Sequence, residues 1–168
     1  MVLSLLRYLL SLYKKTTDKI CKLPFISFVL VILFLSYVIV LPFAFFDDGV
    51  VHPINEKHIV VKIFAGCFLA PILETLLHQS LPIYIFTKKW IKKRNIAIFL
   101  SALSFGVLHF YSLLYILTTF MVGLLFAWAY LIYYERHSFE KAFWAITLVH
   151  ALRNTIALLV GVFFPEYI

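Results

Sequence analysis

The chain has 168 residues, 64% of them hydrophobic and only 14% charged, with a mean hydropathy of +0.99. A soluble domain has no use for that much apolar surface, so composition excludes one and predicts an all-α, polytopic membrane helix bundle. The formal charge of +7 sits in clusters that flank apolar runs, a mark of membrane topology that leaves no aromatic-basic surface for nucleic acid.

Residues 1–24 form a first, cytoplasmic segment. Ser4, Arg7, Ser11, Lys14 and Asp18 recur at three- and four-residue steps opposite Leu3, Leu6, Leu10 and Tyr13, which predicts an interfacial amphipathic helix. Arg7 interrupts the apolar run and no small-residue cleavage site follows, so this is not a signal peptide. Residues 25–168 make a single transmembrane domain of about five helices, each needing roughly 20 apolar residues.

The first span covers about 25–46, with Pro42 near its exit, and the acidic loop from Asp47 to His58 (Asp47, Asp48 and Glu56 against Lys57) suits the non-cytoplasmic side. The second covers about 59–86 and holds Pro71, Glu74, His78, Gln79 and Pro82. The third and fourth share 96–134, an uncharged stretch too long for one helix, which divides near Phe110–Leu113 without a Gly or Pro to mark the turn. The fifth covers about 142–163. His52, His58 and His137 fall in loops, and Cys21 and Cys67 are too far apart to pair.

Three basic clusters set the orientation: Arg7, Lys14, Lys15, Lys19 and Lys22; Lys88, Lys89, Lys92, Lys93 and Arg94; then Arg136 and Lys141. With these inside, the N-terminus is cytoplasmic, the protein lies in the cytoplasmic membrane, and anionic lipids are natural neighbours.

Polar groups inside the spans point to chemistry, because a carboxylate or imidazole within hydrocarbon is costly. Glu74 and His78 share one face of the second span, Phe105 and His109 one face of the third, and His150 and Asn154 one face of the fifth, with Arg153 in the same arc. Measured from the basic end of each span at about 1.5 Å per residue, Glu74, His109, His150 and Asn154 all lie roughly 14–21 Å deep. One layer therefore holds a base, two imidazoles and an amide. Such a set can hydrolyse a carbonyl compound: Glu74 and His109 activate water, while His150 and Asn154 donate to the oxyanion. Alternatively Glu74, His109 and His150 hold zinc or another divalent metal, although no HExxH motif is present. A third possibility pairs Glu74 with Arg153 as a buried ion pair.

At these residues the sequence resembles the CAAX protease and bacteriocin-processing family, also called Abi, which includes type II CAAX prenyl endopeptidases and lysostaphin-resistance-A-like intramembrane proteases. The family marks are a Glu-Glu-x-x-x-Arg element often preceded by Ala-Pro, a Phe-x-x-x-His element and a His-x-x-x-Asn element. Here Ala70-Pro71 leads to Glu74-Thr75 and Gln79, Phe105 precedes His109, and His150 precedes Asn154. The resemblance covers about 59–163.

It implies an intramembrane endopeptidase acting on a membrane-associated or lipid-modified peptide or protein, with Glu74, His109, His150 and Asn154 catalytic and no obligatory cofactor. Thr75 and Gln79 depart from the pattern, and His78 or Arg153 are the residues available to compensate. The departures leave open a weakened family member that acts as a membrane binding or bacteriocin-immunity protein. A small transporter or proton-relay protein is a third class, although no inverted repeat of interrupted helices accompanies these polar residues.

Overall fold

The computed structural model describes residues 2–43, 45–46, 57–89 and 93–164, and among these every regular element is helical. The acidic residues Asp47, Asp48 and Glu56, with His52, and the side chains of Lys88, Lys89 and Lys92 lie outside the described residues.

The first helix, α1, is Val2–Ile20, as its amphipathic pattern predicts. The next, α2, is Phe25–Val38, followed by a 3-10 turn at Leu41–Phe43. This α-helix ends sooner than the apolar run suggests. Pro42 has no N–H and its ring crowds the carbonyl four residues back, at Val38, so the chain tightens into the 3-10 turn instead.

The helix α3, Ile59–Thr87, is apolar and continuous, with His58 capping it by accepting from the Val60 amide at 3.3 Å. That gives His58 a capping role that its loop position does not suggest. Three stretches of α3 are wound as π-helix, Lys62–Leu69, Thr75–Ser80 and Ile85–Lys89, the last running two residues past Thr87. Two of them end just before Pro71 and Pro82, where a missing N–H and a bulky ring make the regular ladder unsustainable.

The helix α4, Arg94–Val107, has 14 residues, which at about 1.5 Å each cover about 21 Å, short of a hydrocarbon core of roughly 30 Å. It stops at the foreseen turn. Ser112 then starts α5, Leu113–Arg136, by accepting from the Tyr115 amide at 2.9 Å, so an N-cap serine marks the turn where Gly and Pro do not. Ser138 caps α6, Phe139–Phe163, in the same way through the Lys141 amide. Among the described residues four stretches are long and apolar enough to cross a membrane, Phe25–Phe43, α3, α5 and α6, while α4 is a shorter apolar helix.

The core lies where α2, α5 and α6 meet. Phe28, Val29 and Ile32 pack with Phe126, Tyr130 and Tyr133, against Ala142, Ala145, Ile146 and Val149. Phe28 and Tyr133 stack with ring centroids 4.0 Å apart. The alanines let the helix backbones approach closely, which is how helices gain attraction in a solvent as apolar as they are. His137 also belongs here: its Nε2 lies 3.0 Å from the Cys21 carbonyl, and its ring is 4.2 Å from that of Tyr133. It therefore fastens the α1–α2 junction to the end of α5 while remaining an exposed residue between two helices.

The short α4 packs along α5 through two glycines. A Cβ on Gly106 would fall 2.9 Å from the Phe120 Cβ, and one on Gly123 would fall 3.1 Å from the Ala102 Cα. Gly106→Ala is therefore expected to force the two helices apart and to destabilise the protein by about 1–3 kcal/mol. A thermal melt in detergent checks this, and an unchanged melting temperature would mean that α4 is free to shift.

Candidate active site

Glu74 stands where a regular turn of α3, Ala70–Glu74, gives way to the π turn Thr75–Ser80. Its Oε2 lies 3.6 Å from His109 Nε2 and 3.7 Å from His150 Nε2. Three separate helical segments thus converge on one carboxylate oxygen. Both separations exceed a direct hydrogen bond. They suit a small third group held between the three atoms. The side chains of Glu74 and His109 keep 26% and 17% of their exposure, whereas that of His150 keeps 6%. Glu74 Oε2 itself is buried and has no hydrogen-bond partner among the described residues, so what exposure remains belongs to the rest of its side chain, and His150 forms the floor.

Each imidazole is oriented by its own surroundings. His109 lies just beyond the end of α4, and its Nδ1 is 2.7 Å from the Phe105 carbonyl oxygen. A carbonyl only accepts, so Nδ1 carries the hydrogen and Nε2 of the neutral ring presents a lone pair toward Glu74. The Phe105 ring is a wall shared by both histidines, 4.7 Å from His109 and 5.6 Å from His150, and Phe126 lies 5.6 Å from His150 on another side. Aromatic walls of this kind restrict water to the side occupied by Glu74 and His109.

Asn154 lies one turn beyond His150 on α6, and its Nδ2 donates to the Gly66 carbonyl at 2.8 Å. The local winding of α3 explains this bond. The Ala70 amide donates to Ala65, five residues back, and continuing that π register would pair Gly66 with the nitrogen of residue 71. Residue 71 is proline and has no hydrogen to give. Asn154 supplies the missing donor from the neighbouring helix. An amide NH2 has two hydrogens, so one remains for another acceptor.

The type II CAAX prenyl endopeptidase Rce1-like family model matches residues 56–156, which hold every residue described in this centre. The chain belongs to this family. No curated protein and no solved structure matches it. The Rce1-like family is a protease family of membrane proteins, and with its apolar helices the chain is an integral membrane member of it.

Thr75 and Gln79 are the two positions that depart from the pattern the sequence resemblance implies. Both are fully buried, and neither the Thr75 hydroxyl nor the Gln79 amide has a hydrogen-bond partner among the described residues. The His78 ring stands edge-on to Phe105, with centroids 6.1 Å apart, and its Nδ1 is 3.2 Å from the Ser104 hydroxyl. Arg153 does not pair with Glu74. Its Nη1 donates to the Ser36 carbonyl at 3.0 Å, its guanidinium lies 4.9 Å over the Tyr37 ring, and Tyr37 Oη donates to the Arg153 carbonyl at 3.4 Å. It clamps α6 to α2, and neither His78 nor Arg153 is hydrogen-bonded or ion-paired to Thr75, Gln79 or Glu74 among the described residues.

Tyr115 escaped the sequence reading, although its ring stacks 6.1 Å from that of His109. The signal was present: once Ser112 is taken as an N-cap, Tyr115 falls in the first turn of α5, beside the end of α4. Ser36 and Tyr37 were legible too, as an adjacent polar pair inside an uncharged span.

Zinc ligands at about 2.0–2.1 Å in a tetrahedron stand about 3.3 Å apart. The Glu74–His109 and Glu74–His150 separations are wider, and no group of three His, Cys, Asp or Glu among the described residues is arranged to hold a metal ion. As they stand, these residues are set slightly wider than a zinc tetrahedron requires.

Proposed function

We propose that the protein is an intramembrane endopeptidase that hydrolyses a peptide bond of a membrane-associated or lipid-modified substrate by carboxylate-activated water. The observation that carries this reading is the approach of His109 Nε2 and His150 Nε2 to within 3.6 and 3.7 Å of Glu74 Oε2, an oxygen that is buried and has no hydrogen-bond partner among the described residues. A water placed between Oε2 and the two imidazoles would bridge the 3.6 and 3.7 Å separations. The His109 lone pair and the carboxylate both accept hydrogen bonds, so both orient that water by taking its hydrogens.

As the water attacks the scissile carbonyl, Glu74 takes its proton and the carbonyl oxygen gains negative charge. His150 and the second hydrogen of Asn154 donate to that oxygen. Glu74 then returns the proton to the leaving amine, which restores the carboxylate. Thr75 and Gln79 contribute no hydrogen bond to this cycle. The basic residues Lys14, Lys15, Lys19, Lys22, Lys93, Arg94, Arg136 and Lys141 lie at or beside the helix ends opposite the Ser112 turn. This supports a cytoplasmic N-terminus in the cytoplasmic membrane.

A second reading is favoured by Thr75 and Gln79, buried without partners where the pattern of the sequence resemblance has charged residues. It makes the protein a binding or bacteriocin-immunity member without turnover. Purified full-length protein in nanodiscs, given a lipidated reporter peptide, separates the two. Cleavage that persists in a strong divalent chelator is the expected result, while binding of the peptide without cleavage would establish the second reading. Cleavage lost on chelation and restored by zinc would require the three groups to close around a metal.

A further inference from the structure

The C-terminal half of α1 and the turn that follows it present a shallow, open groove of about 370 Å³ lined by Ser11, Lys14, Lys15, Asp18, Lys19 and, two residues past the helix, Lys22. At 100° per residue the five on the helix fall within one arc of it, and all six are exposed. Four ammonium groups against the single carboxylate of Asp18 leave the face strongly positive, and among the described residues no carboxylate lies within salt-bridge distance of any of the four lysines. The opposite arc is apolar, with Leu5, Leu6 and Leu9 each more than half exposed.

The helix is not loosely attached. Trp128 Nε1 donates to Tyr13 Oη at 3.0 Å, and His137 donates to the Cys21 carbonyl at 3.0 Å, so both contacts tie α1 to the same end of α5. That end also carries Arg94, Arg136 and Lys141, with Glu135 paired to Arg94 at 2.7 Å and Glu140 next to Lys141. A leucine face beside a lysine groove, on the rim of a membrane bundle, matches the two layers of a lipid leaflet: acyl chains below, phosphates above. A soluble anion would leave the leucine face without a partner, whereas a lipid satisfies both faces at once.

We propose that this lysine groove is a binding site for the phosphodiester headgroups of anionic lipids, which α1 holds at the rim of the bundle. The four lysines are the donors, the Ser11 hydroxyl being already given to the Tyr8 carbonyl at 2.7 Å, and Asp18 tempers the affinity. The site is separate from the Glu74 centre and stands whether or not that centre is catalytic.

The full-length protein, delipidated and then offered phosphatidylglycerol or phosphatidylcholine vesicles, is examined for retained lipid by native mass spectrometry. The wild type is expected to retain phosphatidylglycerol in preference, and the variant with Lys14, Lys15, Lys19 and Lys22 all changed to Gln is expected to lose that preference by at least about tenfold. Changing the same four to Arg keeps the charge and is expected to keep the preference, which separates loss of charge from loss of folding; Asp18→Asn is expected to strengthen it. Equal retention by the wild type and the Gln variant would overturn the proposal. So would displacement of the lipid by millimolar inorganic phosphate, which would mark a free-anion site.

Discussion

Glu74→Gln is expected to remove peptide hydrolysis while leaving the protein folded and able to bind its substrate. Glutamine keeps the shape of glutamate and its capacity to accept one hydrogen bond, but it cannot take a proton from water. A positioned general base is worth about 10²–10⁴-fold in rate, or roughly 3–5 kcal/mol of barrier, so kcat should fall by at least that factor with little change in KM. His109→Ala should produce a loss of similar order by a different route. The carboxylate stays, but the lone pair that fixes the second hydrogen of the water is gone, and the 3.6 Å gap opens. Single-turnover cleavage of the lipidated reporter by each variant, with thermal melts in parallel, measures both effects. A Glu74→Gln protein that retains wild-type turnover would end the hydrolase reading.

Much of this centre was legible because it rests on spacing and depth. Helical rise alone puts Glu74, His109 and His150 in one layer, and the shortness of the third span predicts a turn beneath the lipid surface, where His109 lies beyond the end of α4. Nothing in the periodicity reveals how α3 is wound. Its π stretches depend on how the carbonyls before Pro71 and Pro82 find donors on other helices, which is a tertiary matter. Arg153 illustrates the same limit. Sharing an arc with His150 and Asn154 made it a plausible partner for Glu74, yet its long side chain reaches Ser36 and Tyr37 on α2 instead. His137 reads as a loop residue and acts as a fastener, because sequence order says nothing about which carbonyl comes within reach of a turn.

Asn154 combines two demands that a single substitution cannot separate. Asn154→Ala should leave the Gly66 carbonyl without the donor that α6 supplies at 2.8 Å, and an unpaired buried carbonyl costs about 1–3 kcal/mol of stability. It should also remove one oxyanion donor, a loss of about 10²–10³ in kcat. Pro71→Ala on the same background separates them. The new N–H at position 71 continues the π register set by the Ala70-to-Ala65 bond and can donate to Gly66 directly. The double variant is then expected to melt closer to wild type than the two single changes predict, with a coupling of about 1 kcal/mol, while its kcat stays as low as that of Asn154→Ala. If repair of α3 restores both stability and turnover, Asn154 is a positioning residue that keeps Glu74 in register, and the oxyanion is held by His150 without it. If neither recovers, the Gly66 carbonyl does not depend on Asn154, and the explanation offered here for the winding of α3 is wrong.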